Sequence, residues 1–308
     1  MPFQQMTSLR SSPNHADNDI QVALHEMKSS LELDAEDKAQ ASYYHNLVRD
    51  KIQGTLGGCM GSFLTGSYAR HTAIAPLKDI DVFVVLDQEE RRDLFDGTAW
   101  RCINAVRAAT KDALHRLAQP PRLQKRSVGI DFATAELRVE LVPAFTTEHD
   151  GVFRIADRHA DRWILSAPQI HAEISTEANR RSGRLLKPVI KMLKAWKRQH
   201  NLPIKSFHLE VMCYRAPILP SHTLSEALAC TFSHLSLAIV LPCPDPARVG
   251  DPIDSDMAPE DRGVVAEQLS RCAQFAEKAV DFESNNLVQS HNQWCRIFDK
   301  LYPRKYRK

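Results

Sequence analysis

Asp79-Ile80-Asp81 opens an apolar, β-branched run, IDVFVVL. Alternate side chains of a strand share a face, so the two carboxylates stand together while Ile80 packs on the other side. Like charges side by side repel unless a cation neutralises them, and oxygen-only ligands suit Mg²⁺, which also accepts substrate phosphate as a ligand. Alone, such a pair reads as a solvated strand mouth. Upstream, however, lies the turn Thr65-Gly66-Ser67-Tyr68. Gly66 lets the backbone approach a phosphate closely, and Ser67 adds a hydroxyl and an amide as donors, more so if a helix begins there. Gly-Ser at the end of one apolar strand, then two carboxylates at the head of the next, is a phosphate and metal pattern.

A second constellation is basic. Lys187, Lys191, Lys194 and Arg198 form one stripe of a helix whose other face carries Leu186, Val189, Ile190, Leu193 and Trp196. By itself the stripe reads as a solvated face. Asp157, His159, Asp161 and Arg162 read as a hydrated loop, and Leu269, Cys272, Phe275, Ala279 and Phe282 as helix core.

These residues need positioning elements. The segment from Asp34 to Gln53 has acids in its first turns and Ala41, Tyr44, Val48 and Ile52 at helical spacing, which predicts a long helix before the chemistry. Strands are expected on either side of the Gly-Ser turn, then a helix around Asp93 to Leu117. A hairpin of 128–132 with 137–142 follows, ended by Pro143. Residues 145–180 read as mixed loop with short helical pieces. From Leu185 the chain reads as mainly helical, interrupted at 217–220 and 242–259. Residues 1–18 read as a polar, frayed tail. The expected organisation is that tail, a catalytic domain over 19–180 with its long N-terminal helix, and a mainly helical domain over 181–308 that contributes to the pocket.

With 40 Lys and Arg against 38 Asp and Glu in 308 residues, the formal charge of +2 argues against a surface built for a long nucleic-acid template. The seven scattered cysteines have no zinc-ligand spacing and read as reduced, mostly buried thiols. No secretory signal and no stretch of 18 apolar residues is seen, so a cytoplasmic protein without membrane contact is expected.

GSYARHTAIAPLKDIDVFVV resembles the signature of the DNA polymerase beta-like nucleotidyltransferase superfamily. LKPVIKMLKAWKRQHNLPIKSFHLEV is similar to the helix and following strand-like turn of the bacterial cGAS/DncV-like nucleotidyltransferases of CBASS antiphage systems and their oligoadenylate synthetase relatives. The resemblance covers residues 60–210 and implies an α+β fold, a polymerase beta-like sheet with flanking helices plus a C-terminal helical bundle.

It also implies a third metal-binding carboxylate before an apolar-apolar-Pro step. Here that is Glu140 of Glu140-Leu141-Val142-Pro143, where the family more often has Asp; Asp131 is the alternative. By resemblance, Lys194 reaches the donor triphosphate, Lys191 is a basic helper, Ser206 bonds phosphate and Phe207 stacks on a base. The implied reaction joins nucleoside triphosphates, ATP among them, into a cyclic di- or trinucleotide messenger. It uses Mg²⁺ or Mn²⁺ held by Asp79, Asp81 and Glu140 and releases pyrophosphate. A regulatory protein and an effector that binds the product are the implied partners. Nothing in the chain could build a zinc insertion, and the terminal RKYRK argues against C-terminal conjugation. Two competing readings stay open: transfer to another acceptor (an RNA end, a linear oligoadenylate, a small molecule or a protein), and an inactive nucleotide-binding module, motivated by Glu140.

Overall fold

A computed structural model describes residues 19–133, 135–303 and 305. The tail over 1–18 and most of the terminal RKYRK lie outside the described residues. The chain opens with α1 (Asp19–Ser30), a helix whose weak periodicity gave little warning of it. The long helix α2 (Ala35–Leu56) starts at an N-cap: Asp34 accepts from the Asp37 amide and Asp37 accepts back from the Asp34 amide. Its Ala41, Tyr44, Val48 and Ile52 are buried, as their spacing requires.

The sheet has seven strands: β1 (Cys59–Thr65), β2 (Asp79–Leu86), β3 (Arg122–Leu123), β4 (Val128–Asp131), β5 (Arg138–Thr146), β6 (Phe153–Asp157) and β7 (Arg162–Ser166). Along its main path the order is β1-β2-β5-β4-β3, with β6 on β5 and β7 on β6. β2 and β5 run parallel, and the other pairs antiparallel. Alternation divides the two faces. Ile80, Val82, Val84 and Leu86 of β2, with Val139, Leu141 and Phe145 of β5, pack with α2 and with α5 (Ala99–Leu114). Phe83, Val142, Ala144, Phe153 and Ile155 form a smaller cluster on the opposite face, the side to which Asp79, Asp81 and Glu140 also belong.

Four expectations are corrected. Pro143 lies inside β5. On one edge β4 pairs with residues 138–141 and β6 only from Ala144, so Pro143 lies at the changeover between them, while on the other edge it stays level with Val84 of β2. Residues 145–180 hold the β6–β7 hairpin and α6 (Pro168–Arg181). The helix expected over 93–117 is split into α4 (Arg92–Phe95) and α5, with Gly97 between them and Thr98 capping α5 through the Arg101 amide. The strand-like turn expected at SFHLEV is helical, α8 (Ser206–Cys213), so Phe207, Glu210 and Tyr214 share a helix face instead of alternating across a strand.

The remaining helices are α7 (Leu186–Gln199), α9 (Leu224–Ala238), α10 (Pro259–Phe282) and α11 (Leu287–Phe298). They enclose a core around Trp196, Phe232, Trp294 and Phe298. Ile20, Ala23, Leu24 and Met27 of α1 join this helical core, not that of the sheet. Together these elements make the expected α+β architecture. No described helix is long and apolar enough to cross a membrane, and all seven cysteines are free thiols.

Candidate active site

The antiparallel register of β1 with β2 sets Thr65 opposite Asp81, so the chain leaves β1 into the Gly-Ser turn directly beside that carboxylate. Gly66 has φ 64°, and a Cβ built on it would collide with Asp81 Oδ2. Both the backbone conformation and the close approach demand glycine. A single helical turn follows, α3 (Gly66–Ala69), and the Ser67 carbonyl closes the loop by accepting from the amides of Thr72 at 2.9 Å and Ala73 at 3.1 Å. A cleft of about 560 Å³ opens here. Gly66, Ser67, Asp79, Asp81, Lys194, Ser206 and Phe207 all line it, although they come from four separate parts of the fold, and Phe83, Val142, Ile155 and Ile164 give it an apolar patch.

Burial first, and then the nearby charges of Glu140 and Asp79, push the Asp81 carboxyl up to about 6, against the smaller opposing pull of Arg70 and Lys194. Neither Asp79 nor Asp81 has a hydrogen-bonded or ion-paired side chain among the described residues. Hard carboxylate oxygens crowded on one face without a direct counter-charge fit a divalent cation such as Mg²⁺ or Mn²⁺.

Glu140 sits level with Asp81 on the parallel neighbour β5. Its carboxylate points to the β3–β4 turn, where Gln124 Nε2 donates to Oε1 at 2.9 Å and Ser127 Oγ donates to Oε2 at 3.2 Å. Accordingly, no three His, Cys, Asp or Glu side chains among the described residues are gathered closely enough to ligate one ion. Asp131, the alternative, is ion-paired to Arg122 and, at 2.8 Å, to Arg138.

The basic stripe divides. Lys194 turns into the cleft wall, where its ammonium meets Glu210 Oε2 at 2.6 Å and both the carbonyl (3.1 Å) and hydroxyl (2.9 Å) oxygens of Thr72. Lys191 turns away and pairs with Glu32 at 2.6 Å, between α1 and α2, while Lys187 donates to Thr176. Arg198 lines the cleft together with Lys197.

Ser206 begins α8, and the Phe207 ring has the Arg70 guanidinium 4.5 Å from its centroid and the tilted His171 ring at 5.2 Å. His171 is held by Asp245 at 2.6 Å. Burial would raise the Asp245 carboxyl, but the His171 hydrogen bond and the amides of Gly250 and Val249 bring it down to about 2. The following loop closes the cleft rim: Asp251 pairs with Arg162, and Asp256 with Lys125 at 3.0 Å and Lys205 at 2.5 Å. The acidic and basic cluster at 157–162 is the turn of the β6–β7 hairpin. There the buried Asp157 accepts from the His159 amide and pairs with Lys125 and Arg126.

Sequence reading assigned no role to Arg70, Thr72, His171, Asp245 or Glu210. The signal for Arg70 was its place one turn after Ser67; for Glu210 it was helical spacing from Phe207, obscured by reading the segment as extended.

Residues 19–179 match the family model described as SMODS, Second Messenger Oligonucleotide or Dinucleotide Synthetase domain. A cyclic AMP-AMP-AMP synthase of an Acinetobacter strain is 23% identical over 284 residues, covering 84% of this chain and 78% of the relative. Among solved structures, the CdnC:HORMA-deltaN complex of Escherichia coli MS115-1 superposes with a TM-score of 0.70 at 16% identity, covering 95% of this chain and 100% of that one. Vibrio cholerae DncV cyclic AMP-GMP synthase, in complex with the linear intermediate 5' pppA(3',5')pG, gives 0.72 at 14% identity, covering 90% and 94%.

Proposed function

Because the chain belongs to the second messenger oligonucleotide or dinucleotide synthetase family, a cGAS/DncV-like family of nucleotidyltransferases, we propose that it joins nucleoside triphosphates, ATP among them, into a cyclic di- or trinucleotide for antiphage signalling. The observation that carries this reading is the contact of Gly66 with Asp81: a phosphate-binding turn abuts a carboxylate that has two more acids at its side and no direct counter-charge.

In this proposal Asp79 and Asp81 would hold Mg²⁺ or Mn²⁺, joined by Glu140 once its carboxylate turns from Gln124 and Ser127. When bound, the ions neutralise phosphate charge and ease deprotonation of the attacking hydroxyl. Gly66 and Ser67 cradle the triphosphate through backbone amides and the serine hydroxyl. Lys194 contributes positive charge behind it, Ser206 bonds a phosphate, and Phe207 offers its ring to a base. A ribose hydroxyl oxygen of the acceptor nucleotide bonds to the α-phosphorus, the α–β bridging bond breaks, and pyrophosphate departs while the hydroxyl proton goes to solvent. A second transfer within the linear product closes the ring. Lys191, paired with Glu32, supports the cleft wall from outside.

Residues 19–180 serve as the catalytic unit and 181–308 supply the opposite wall of the pocket. The enzyme works in the cytoplasm, with an effector that reads the product and a regulatory protein partner; the E. coli relative forms a complex with a HORMA protein. The test is mass spectrometry of the product made from all four triphosphates with Mg²⁺ or Mn²⁺. A phosphatase-resistant cyclic species is expected. Extended RNA, linear oligoadenylate or a labelled small molecule or protein would replace this reading with transfer to another acceptor, and failure to release pyrophosphate would replace it with an inactive binding module.

A further inference from the structure

Glu210 is fully buried, yet two cations converge on it from different elements. Burial would raise its carboxyl, but Lys194 and Arg70 outweigh that and hold it at about 2, so it is ionised. The hydroxyls of Thr72 at 2.9 Å and Tyr214 at 3.0 Å complete its shell. With two cations around one anion, the cluster carries a net positive charge beside the cleft.

The two cations differ in what they have left to give. A lysine ammonium has three N–H donors. Lys194 has three acceptors close by, Glu210 Oε2, Thr72 O and Thr72 Oγ1, so its donors are spent inside the protein. An arginine has five donors. The Arg70 side chain gives Nε to Glu210 Oε1 at 2.8 Å and one Nη2 proton to Oε2 at 3.4 Å, and that side chain makes no further hydrogen bond among the described residues. Its guanidinium borders the cleft, one turn beyond Ser67 and against the face of Phe207.

Resting on the nucleotidyltransferase reading, we propose that Arg70 makes a direct contact with the substrate triphosphate, and that Glu210, braced by Lys194, is the positioning residue that aims it. A planar fork fastened on one edge presents its other edge in a fixed direction, which suits phosphate oxygens. Lys194 then acts through the cluster and through space, not by direct donation.

The test is calorimetric binding to the full chain with Mg²⁺, using nonhydrolysable analogues of ATP and GTP and, in parallel, adenosine and guanosine. Arg70→Lys, Arg70→Met, Glu210→Gln and the double variant R70M/E210Q are compared with wild type. Each single variant is expected to lose roughly ten- to hundredfold affinity for the triphosphate analogue while nucleoside affinity changes by less than about threefold. Glu210→Gln should add little in the Arg70→Met background. Equal losses for triphosphate and nucleoside would overturn the proposal in favour of a structural or base-stacking role, as would losses that multiply in the double variant. Should Arg70→Met fail to melt cooperatively, Arg70→Lys, which keeps the charge but loses the fork, decides alone. A wild-type protein that binds neither analogue overturns the parent reading and this inference with it, whereas wild-type binding with an unaltered Arg70→Lys overturns this inference alone.

Discussion

Asp81 and Glu140 stand at the same level of two neighbouring parallel strands, both on the cleft face of the sheet, with no cationic side chain paired to Asp81. The repulsion this creates is measurable.

Asp81→Asn should stabilise the fold while abolishing turnover. The folded-state carboxyl is raised to about 6 by burial and by Glu140 and Asp79. A raised carboxyl contributes stability while protonated, below its unfolded value near 3.8, and loses it as pH rises through about 6. At pH 7 ionised Asp81 therefore costs about 1–3 kcal/mol, which the amide escapes. Urea melts should show a higher midpoint for the variant at pH 7 and a gap that narrows from pH 6 towards pH 4. A variant less stable than wild type at pH 7 would count against this account of Asp81.

Gly66→Ala should cut pyrophosphate release by about a hundredfold or more and destabilise the fold by about 1–3 kcal/mol, because it combines a left-handed φ with a Cβ directed at Asp81. Gly61→Ala in the preceding strand β1, where a Cβ meets nothing within 4 Å, is the control and should retain activity. If the two variants behave alike, the close approach of Gly66 is not what matters.

Glu140→Gln keeps groups able to hydrogen-bond Gln124 and Ser127, so its thermal midpoint should stay within a few degrees of wild type. Metal-supported turnover should nonetheless fall by about a hundredfold or more, since an amide is a poor ligand for a hard divalent cation. Activity near wild type would remove Glu140 from the metal set.

Acid should loosen the Arg70–Glu210–Lys194 cluster. Glu210 is depressed to about 2 despite its burial, so its contribution is complete above its unfolded value near 4.5 and is lost as pH falls from there through about 2. Denaturant melts of wild type should lose about 1–3 kcal/mol from this group across that window. Glu210→Gln should show a shallower acid slope; an unchanged slope would mean that other carboxylates govern acid unfolding.

Much of the local structure was legible because it depends on short-range geometry. Alternation in IDVFVVL predicted which face Asp79 and Asp81 share, and Gly66-Ser67 announced a turn that only glycine can make against a neighbour. The acids after Asp34 marked the start of α2, where the capping box formed. Pro143 misled because a proline was read as a strand end, when its tolerance depends on which strand lies beside it at that one residue.

From the sequence alone came the paired-aspartate strand pattern, the Gly-Ser turn, the helical second half and the family resemblance, all carried by neighbours a few residues apart. Tertiary structure alone decided that Lys194 faces the cleft while Lys191 turns to Glu32, that Glu140 is held by Gln124 and Ser127, and that Glu210 meets Arg70 across 140 residues of chain. The physical reason is that periodicity settles only which face of an element a side chain occupies. Which partner it finds there depends on how separate elements pack and on burial energies that reward pairing every desolvated charge.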